Sequence, residues 1–307
     1  MSSRRPFVPC LGAWRKGAAF VLAGAATLSD PGVSPHTFAR AYAPGEIVRI
    51  EVTAAPGTKE VHGTFGTAPV AFVSKDKATW VGWAVIPLDA APGEITYRVE
   101  AGKASATRAL TVEAKSFPEQ RLTVEEKFVN PPKSVEARIA REKKTLDAIY
   151  ARRTALPPPG APFVRPVPGD PTSEFGTKRF FNGEARAPHP GIDLHAGTGT
   201  PVLAAGPGKV ALAQDLYYSG GTVVIDHGGG LFTIYGHLSK IAAKAGASIR
   251  AGESVGLSGA TGRVTGPHLH WGARVGGTIF DPRGLLDPAL FGSVSPSSTA
   301  PAATPGG

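Results

Sequence analysis

The sequence predicts a mainly β protein in which two β domains are joined by a helix. Glycine and proline contribute 39 and 29 of the 307 residues, a proportion typical of a chain with many turns. Residues 34–115 and 169–292 alternate apolar and polar side chains in short runs bounded by turn signals, as β-strands do. Helical spacing of apolar residues occurs only between these two stretches. A chain of this length is also long enough for about two domains.

The first β domain is predicted over residues 34–115 as an immunoglobulin-like β-sandwich. Runs such as EIVRIEVTA and EITYRVEA are separated by APGE turns at 43–46 and 91–94, which is about the spacing of a sandwich. Trp80 and Trp83 are three residues apart and therefore lie on opposite faces of a strand. They do not form the aromatic platform that a carbohydrate-binding surface would need.

Residues 116–168 are predicted as a connecting helix followed by a proline-rich linker. Apolar residues recur at helical spacing, with Ser134 as the expected N-cap and Glu136 in the first turn; they are Val135, Ile139, Leu146 and Ile149. The stretch TALPPPGAPFVRPVPGDP cannot continue a helix, because proline lacks the amide donor and clashes with the preceding turn.

The two ends of the chain are expected to lie outside the folded domains. Residues 1–29 resemble a signal peptide, with a basic start and an apolar run that is too short to cross a bilayer. SRRPFV also resembles a twin-arginine signal, so both general and twin-arginine export stay open. Residues 293–307 are rich in Ser, Pro and Ala and are expected to be disordered. The sequence therefore predicts an exported chain without a stable membrane span after signal cleavage.

Charge and cysteine content exclude several classes of function. The formal net charge of +9 suits an anionic partner such as a cell wall, but the basic residues form no stripe with interleaved aromatics. No nucleic-acid partner is therefore expected. Cys10 is the only cysteine and lies in the predicted signal, which excludes a disulfide framework and a thiolate metal site in the exported protein.

Three short histidine motifs lie in the second β domain: PHPGIDLHA, YGHLS and GPHLHWG. On a strand, His268 and His270 project from one face, so both could bind a metal, or one could bind while the other acts on a substrate. His189 and Asp193 are separated by Pro190 and Gly191, which predicts a turn entering a strand.

Together these motifs offer a His, Asp, His ligand set. Three protein ligands leave one position for water, which is typical of a catalytic rather than a structural zinc site. His237, in YGHLS, would then be available for proton transfer or charge stabilisation. His195 and His227 are interpreted as structural or surface residues, although His195, two residues beyond Asp193, could line the groove.

HPGID, YGHLS and GPHLHWG, in this order, resemble the M23 peptidases, also called the LytM or lysostaphin-type family, over about residues 172–290. The preceding stretch FGTKRFFNGEARAP is similar to the lead-in to that family's first ligand. The resemblance implies an antiparallel β peptidase domain of the LytM type at residues 169–292. It also assigns the roles that spacing left open: His189, Asp193 and His270 bind Zn2+, and His237 and His268 are catalytic.

The implied function is a zinc-dependent endopeptidase that hydrolyses peptide bonds in peptidoglycan, in cross-links or stem peptides, by a metal-activated water. No HExxH glutamate is present in the sequence, so the histidine pair would supply acid–base catalysis. The alternative is a non-catalytic LytM-type binding protein that activates other cell-wall hydrolases. A protein that acts on peptidoglycan is expected to be periplasmic or associated with the cell envelope. The N-terminal domain could be a spacer, a lid over the groove or a contact for envelope proteins.

Overall fold

The computed structural model describes residues 32–123 and 131–292. They form two large antiparallel sheets, one small sheet and one α-helix, which confirms the predicted mainly β class. The predicted signal peptide at 1–29 and the predicted tail at 293–307 lie outside the described residues. Within the described ranges, no helix has the length and apolar character needed to cross a membrane.

The N-terminal sheet has seven strands in the order β1-β2-β5-β4-β3-β6-β7. Its edge strands β1 and β7 approach each other, so the sheet bends around a core that includes Ile50, Val52 and Val99. The immunoglobulin-like class of this region stays a prediction. The strands are β1 (Val33–Phe38), β2 (Ile47–Ala54), β3 (Val61–Phe65), β4 (Ala68–Ser74), β5 (Thr79–Val85), β6 (Gly93–Ala101) and β7 (Ala104–Val112).

The segment after this sheet contributes a strand that the sequence did not indicate. β8 (Glu119–Leu122) pairs in parallel with β10 (Lys178–Phe181), which in turn pairs with β11 (Glu184–Arg186) to form a three-stranded sheet. A strand of four residues is too short to show a convincing alternation of apolar and polar side chains. Its pairing brings the chain leaving the N-terminal sheet to the hairpin that precedes His189.

The predicted connecting helix is present as α1 (Lys133–Tyr150). The expectation that Ser134 caps it is wrong: Pro132 occupies the N-cap position, and no side chain caps the helix. The helix buries only its last turn, where Ile149 and Tyr150 pack on the C-terminal sheet and Tyr150 meets Phe232 edge-on at 5.6 Å between ring centroids.

The C-terminal sheet contains ten strands, with β17-β14-β15-β16-β19-β12-β9 as its main path. Three further strands lie off this path: β13 pairs with β18, β18 also pairs with β16, and β20 pairs with β19. The strands are β9 (Pro171–Ser173), β12 (Gly191–Leu194), β13 (Pro201–Leu203), β14 (Gly208–Leu216), β15 (Gly220–Asp226), β16 (Leu231–Ile241), β17 (Ser248–Ile249), β18 (Ser254–Ser258), β19 (Leu269–Val275) and β20 (Thr278–Phe280). Short 3-10 helices follow at Pro282–Leu286 and Pro288–Phe291.

The two β regions share a hydrophobic core. Ile47 and Trp83 from the N-terminal sheet are buried in the same cluster as Trp271, Leu285 and Leu290 from the C-terminal region. The Trp83 ring packs edge-on against Phe291, with 6.4 Å between centroids. The N-terminal sheet is therefore packed against the C-terminal region rather than merely tethered to it.

Candidate metal and active site

Strands β12 and β19 bring the first two site residues face to face. Asp193 and His270 are direct partners in the antiparallel register, so their side chains leave the same face of the sheet. His270 Nδ1 lies 2.9 Å from Asp193 Oδ1. Leu194 and Leu269, which alternate with them, are buried in the core.

His189 completes this group from the loop before β12. Its Nε2 lies 3.1 Å from Asp193 Oδ1 and 3.2 Å from His270 Nδ1. Its Nδ1 lies 3.0 Å from the carbonyl oxygen of Glu174 and 3.2 Å from the Ser173 hydroxyl. Because a carbonyl can only accept, Nδ1 carries the proton and Nε2 presents its lone pair to the other two residues. The ring is almost completely buried.

The side chains of His189, Asp193 and His270 fit a metal ion. One ligand atom from each lies within 4.8 Å of the other two, and two imidazole nitrogens with a carboxylate oxygen are a donor set that suits zinc. Burial would raise the pKa of Asp193, but the close approach of the His189 and His270 imidazoles holds that pKa well below its usual range. Burial lowers the pKa of His270. The carboxylate is therefore ionised and the His270 imidazole neutral near pH 7, as metal ligation requires.

His237 and His268 lie beside the three potential ligands. Their ring centroids are 4.8 Å apart, and the centroid of His237 is 6.0 Å from that of His270. His237 Nδ1 donates to the carbonyl of Thr261, and His268 Nδ1 donates to the carbonyl of Gly266, both at 2.9 Å. Each Nε2 is therefore the basic nitrogen, and that of His268 lies 3.6 Å from Asp193 Oδ1.

His237 has a backbone conformation that is uncommon for a residue with a side chain. Its φ is +63°, and Asn182 is the only other described non-glycine residue with positive φ. Such backbone conformations cost free energy and cluster at functional sites, where the surrounding structure imposes them. Here the His237 amide donates to the carbonyl of Ser219 at 2.7 Å. Burial lowers the pKa of His237 to about 4, so its imidazole is neutral at pH 7.

The structure thus brings all five predicted site residues together, and the other two histidines of this region differ in burial. His195 is exposed. His227 is buried, with Nδ1 donating to the Pro207 carbonyl at 2.6 Å and Nε2 2.7 Å from the Thr233 hydroxyl.

Sequence reasoning missed the groups that orient these side chains. The backbone carbonyls of Glu174, Thr261 and Gly266 leave no trace in residue types. It also missed Arg179, whose Nη2 lies 3.9 Å from Asp193 Oδ2. Its position within the lead-in stretch FGTKRFFNGEARAP was the only available signal.

The part of the chain that carries this site matches a known protein family. Residues 187–282, which contain all five side chains, match the family described as Peptidase family M23. Peptidoglycan DD-endopeptidase ShyA of Vibrio cholerae is 46% identical over 101 residues, which are 33% of this chain and 24% of ShyA. The chain spans about a quarter to a third of the length of the curated relatives it matches first.

Solved structures extend the comparison. The crystal structure of a putative peptidase M23 from Pseudomonas aeruginosa aligns with 80% of this chain and 95% of its own, at 29% identity and a TM-score of 0.58. The likeness therefore extends beyond the matched domain into the N-terminal region. The catalytic domain of the prophage-encoded M23 protein EnpA from Enterococcus faecalis, as an A109H mutant, is 37% identical over 40% of this chain and 95% of its own, with a TM-score of 0.36. Through its C-terminal β region, this chain belongs to peptidase family M23.

Proposed function

We propose that the protein is a zinc-dependent endopeptidase that hydrolyses peptide bonds in peptidoglycan. The observation that carries the proposal is the convergence of His189, Asp193 and His270 on one point, with two further imidazoles beside them. The substrate class is supported by the V. cholerae relative, which is named a peptidoglycan DD-endopeptidase. A peptidoglycan substrate implies an exported protein that works in the cell envelope.

His189, Asp193 and His270 would hold the zinc ion. When bound, zinc supplies Lewis-acid chemistry, polarising a carbonyl and making water more acidic. The carbonyl of Glu174 orients the His189 ring, and the cross-strand pairing orients His270 against Asp193. Such hydrogen bonds to ligating residues fix the tautomer that a metal site needs.

His237 and His268 would move protons. Both rings are fixed by carbonyl acceptors at Nδ1, so each presents a basic Nε2 beside the three ligands. One Nε2 accepts a proton from the attacking water, and a protonated Nε2 donates to the leaving amine or stabilises the negative charge that develops on the scissile carbonyl. The positive φ of His237 supports a functional role for that residue.

Metal content and peptide release test this proposal together. We expect the full-length protein to bind about one zinc per chain and to release peptides from purified peptidoglycan. His270→Ala should lose the metal, whereas His237→Ala should keep the metal and lose peptide release. His62→Ala, at an imidazole that is 68% exposed on β3, is the matched control and should change neither.

Two results would contradict the proposal. Zinc binding without release of any peptide would favour the non-catalytic binding protein that activates other hydrolases. Peptide release that survives loss of the metal in His270→Ala would rule out zinc-dependent hydrolysis.

A further inference from the structure

The hairpin of β10 and β11 lies beside Asp193 and carries two arginines on one face. Arg179 and Arg186 are direct cross-strand partners, so their side chains leave the same side of the hairpin. Arg179 Nη2 extends to 3.9 Å from Asp193 Oδ2. Like charges directly opposite each other destabilise a hairpin, so this arginine pair costs folding free energy.

Asp193 does not satisfy the Arg179 guanidinium. The Oδ1 atom of Asp193 is engaged with His189 and His270, and the 3.9 Å to Oδ2 is too long for a hydrogen bond. The Nε atoms of Arg179 and Arg186 are both buried without a hydrogen-bond partner. Arg186 is otherwise paired through Nη2 with Glu184 at 2.6 Å. A buried N–H of a cation that lacks an acceptor costs free energy, and a bound anion would remove that cost.

A third arginine adds positive charge at the same place. Arg263, in the loop after β18, lies over the Tyr218 ring at 4.7 Å and interacts electrostatically with Arg179. Two carboxylates contact these arginines: Glu184 pairs with Arg186, and Asp193 lies near Arg179. A zinc ion bound to Asp193 would compensate the charge of that carboxylate and leave the hairpin surface beside the reacting centre with a net positive charge.

We propose that Arg179, flanked by Arg186 and Arg263, forms a carboxylate-binding subsite that recognises a free carboxylate of the substrate peptide. The inference rests on the proposed function, because it assigns a substrate feature to the same groove. The planar guanidinium matches a carboxylate through two parallel N–H donors, and the Nη2 atom of Arg179 faces the site beside Asp193. The carboxylate is either at the end of a peptide or on a side chain near the scissile bond.

Peptide binding tests the subsite. The full-length protein carries His237→Ala as a background, so that bound peptide is not cut under the proposed function. The probe is a cross-linked peptidoglycan peptide in three forms: the free acid, the chain-end amide and the side-chain amide. Isothermal titration calorimetry gives the Kd of each. We expect one amide to bind about tenfold or more weakly than the free acid, because a charge-assisted pair is lost, and that amide identifies the carboxylate.

Variants locate the recognition at Arg179. Arg179→Gln should bind the free acid and both amides equally, and Arg179→Lys should keep only part of the preference, because an ammonium lacks the planar donor pair. Arg121→Gln is the matched control: Arg121 belongs to the same small sheet but stacks on Phe180, on the opposite face from Arg179, at 4.1 Å. It should keep the full preference. If Arg179→Gln does not fold, judged by circular dichroism, Arg263→Gln serves instead and should weaken the preference.

An unchanged preference in Arg179→Gln and Arg263→Gln would overturn the subsite. It would also be overturned if Arg179→Gln bound every form more tightly, since the guanidinium would then obstruct the groove. Inorganic phosphate competing as strongly as the free acid would show a general anion site rather than a carboxylate subsite. Absence of peptide cleavage by the zinc-loaded wild type would refute the proposed function alone, because the Kd values do not depend on turnover.

Discussion

Asp281 Oδ2 accepts a hydrogen bond from Arg40 Nη2 at 2.9 Å, and this contact ties the C-terminal region to the loop between β1 and β2. Asp281 is almost completely buried and also pairs with Arg283, while Arg40 pairs with the equally buried Glu46. Burial would raise the pKa of Asp281, but its hydrogen bond to Arg283 and the charges of both arginines keep that pKa below its usual value.

Asp281→Ala should therefore lower the free energy of unfolding by about 2 to 3 kcal/mol, because Arg40 and Arg283 each lose a charged acceptor, although Arg40 keeps Glu46 and Arg283 keeps Glu174. Urea unfolding followed by circular dichroism measures the change. Asp170→Ala is the control: Asp170 is 94% exposed, and its ion pair with Arg165 spans 3.7 Å. That variant should change stability by less than about 1 kcal/mol. Equal losses in the two variants would show that the buried cluster adds no particular stability.

Gly191→Ala should damage the metal site from a strand position. A Cβ at residue 191 would lie 2.4 Å from the Trp271 carbonyl oxygen and 2.9 Å from His270 Cε1, so β19 and the His270 ring would have to move. A shift of about 1 Å in such a site costs on the order of a hundredfold in activity. Zinc content and peptide release from peptidoglycan should both fall.

Gly272→Ala is the control for this effect, because Gly272 is the cross-strand partner of Gly191. The nearest atom to its Cβ would be the Pro190 carbonyl oxygen at 3.4 Å, an ordinary contact. It should retain zinc and most of the activity. A Gly191→Ala variant with normal zinc content and activity would show that the two strands adjust without displacing His270.

His227 should make stability depend on pH. Burial lowers its pKa to about 4, and the hydrogen bond to Pro207 opposes this only in part. The unfolded-state pKa is about 6.5, so between about pH 6.5 and 4 the unfolded chain binds a proton that the folded protein excludes. Stability from this residue is complete above about pH 6.5 and falls as the pH drops, by up to about 1.4 kcal/mol per unit.

His227→Gln should remove this contribution. Urea midpoints measured from pH 8 to 4.5 should show a shallower acid loss in the variant than in the wild type. Above pH 7 the two curves should run parallel, with the variant lower because the hydrogen bonds to Pro207 and Thr233 are changed. Identical slopes below pH 6.5 would mean that His227 titrates alike in the folded and unfolded chain.

Trp83→Ala should loosen both β regions. Its ring is 2% exposed in the core shared with the C-terminal region and packs on Phe291. Loss of a buried tryptophan typically costs about 3 to 5 kcal/mol. Hydrogen exchange should become faster in β5 and also in C-terminal strands such as β19. Trp80→Ala is the control, since Trp80 packs against the N-terminal core. Faster exchange confined to the N-terminal sheet in both variants would contradict a shared core.

The composition and periodicity of the sequence by themselves determined the mainly β class, the position of α1 and the motifs that supply the five site residues. These are local properties: alternation, helical spacing and turn residues are read within a few positions of the chain. The family resemblance is likewise carried by short motifs, and it proposed His270 over His268 where spacing alone did not choose.

Only the tertiary structure decided which groups meet. The register of β12 against β19 places His270 opposite Asp193, and β8 joins a hairpin more than fifty residues later in the chain. Arg179 reaches Asp193, and Trp83 enters the core of the other region, through contacts between segments far apart in the chain. Pairing of this kind depends on the free energy of the whole packed arrangement, so it has no signature in the residues on either side.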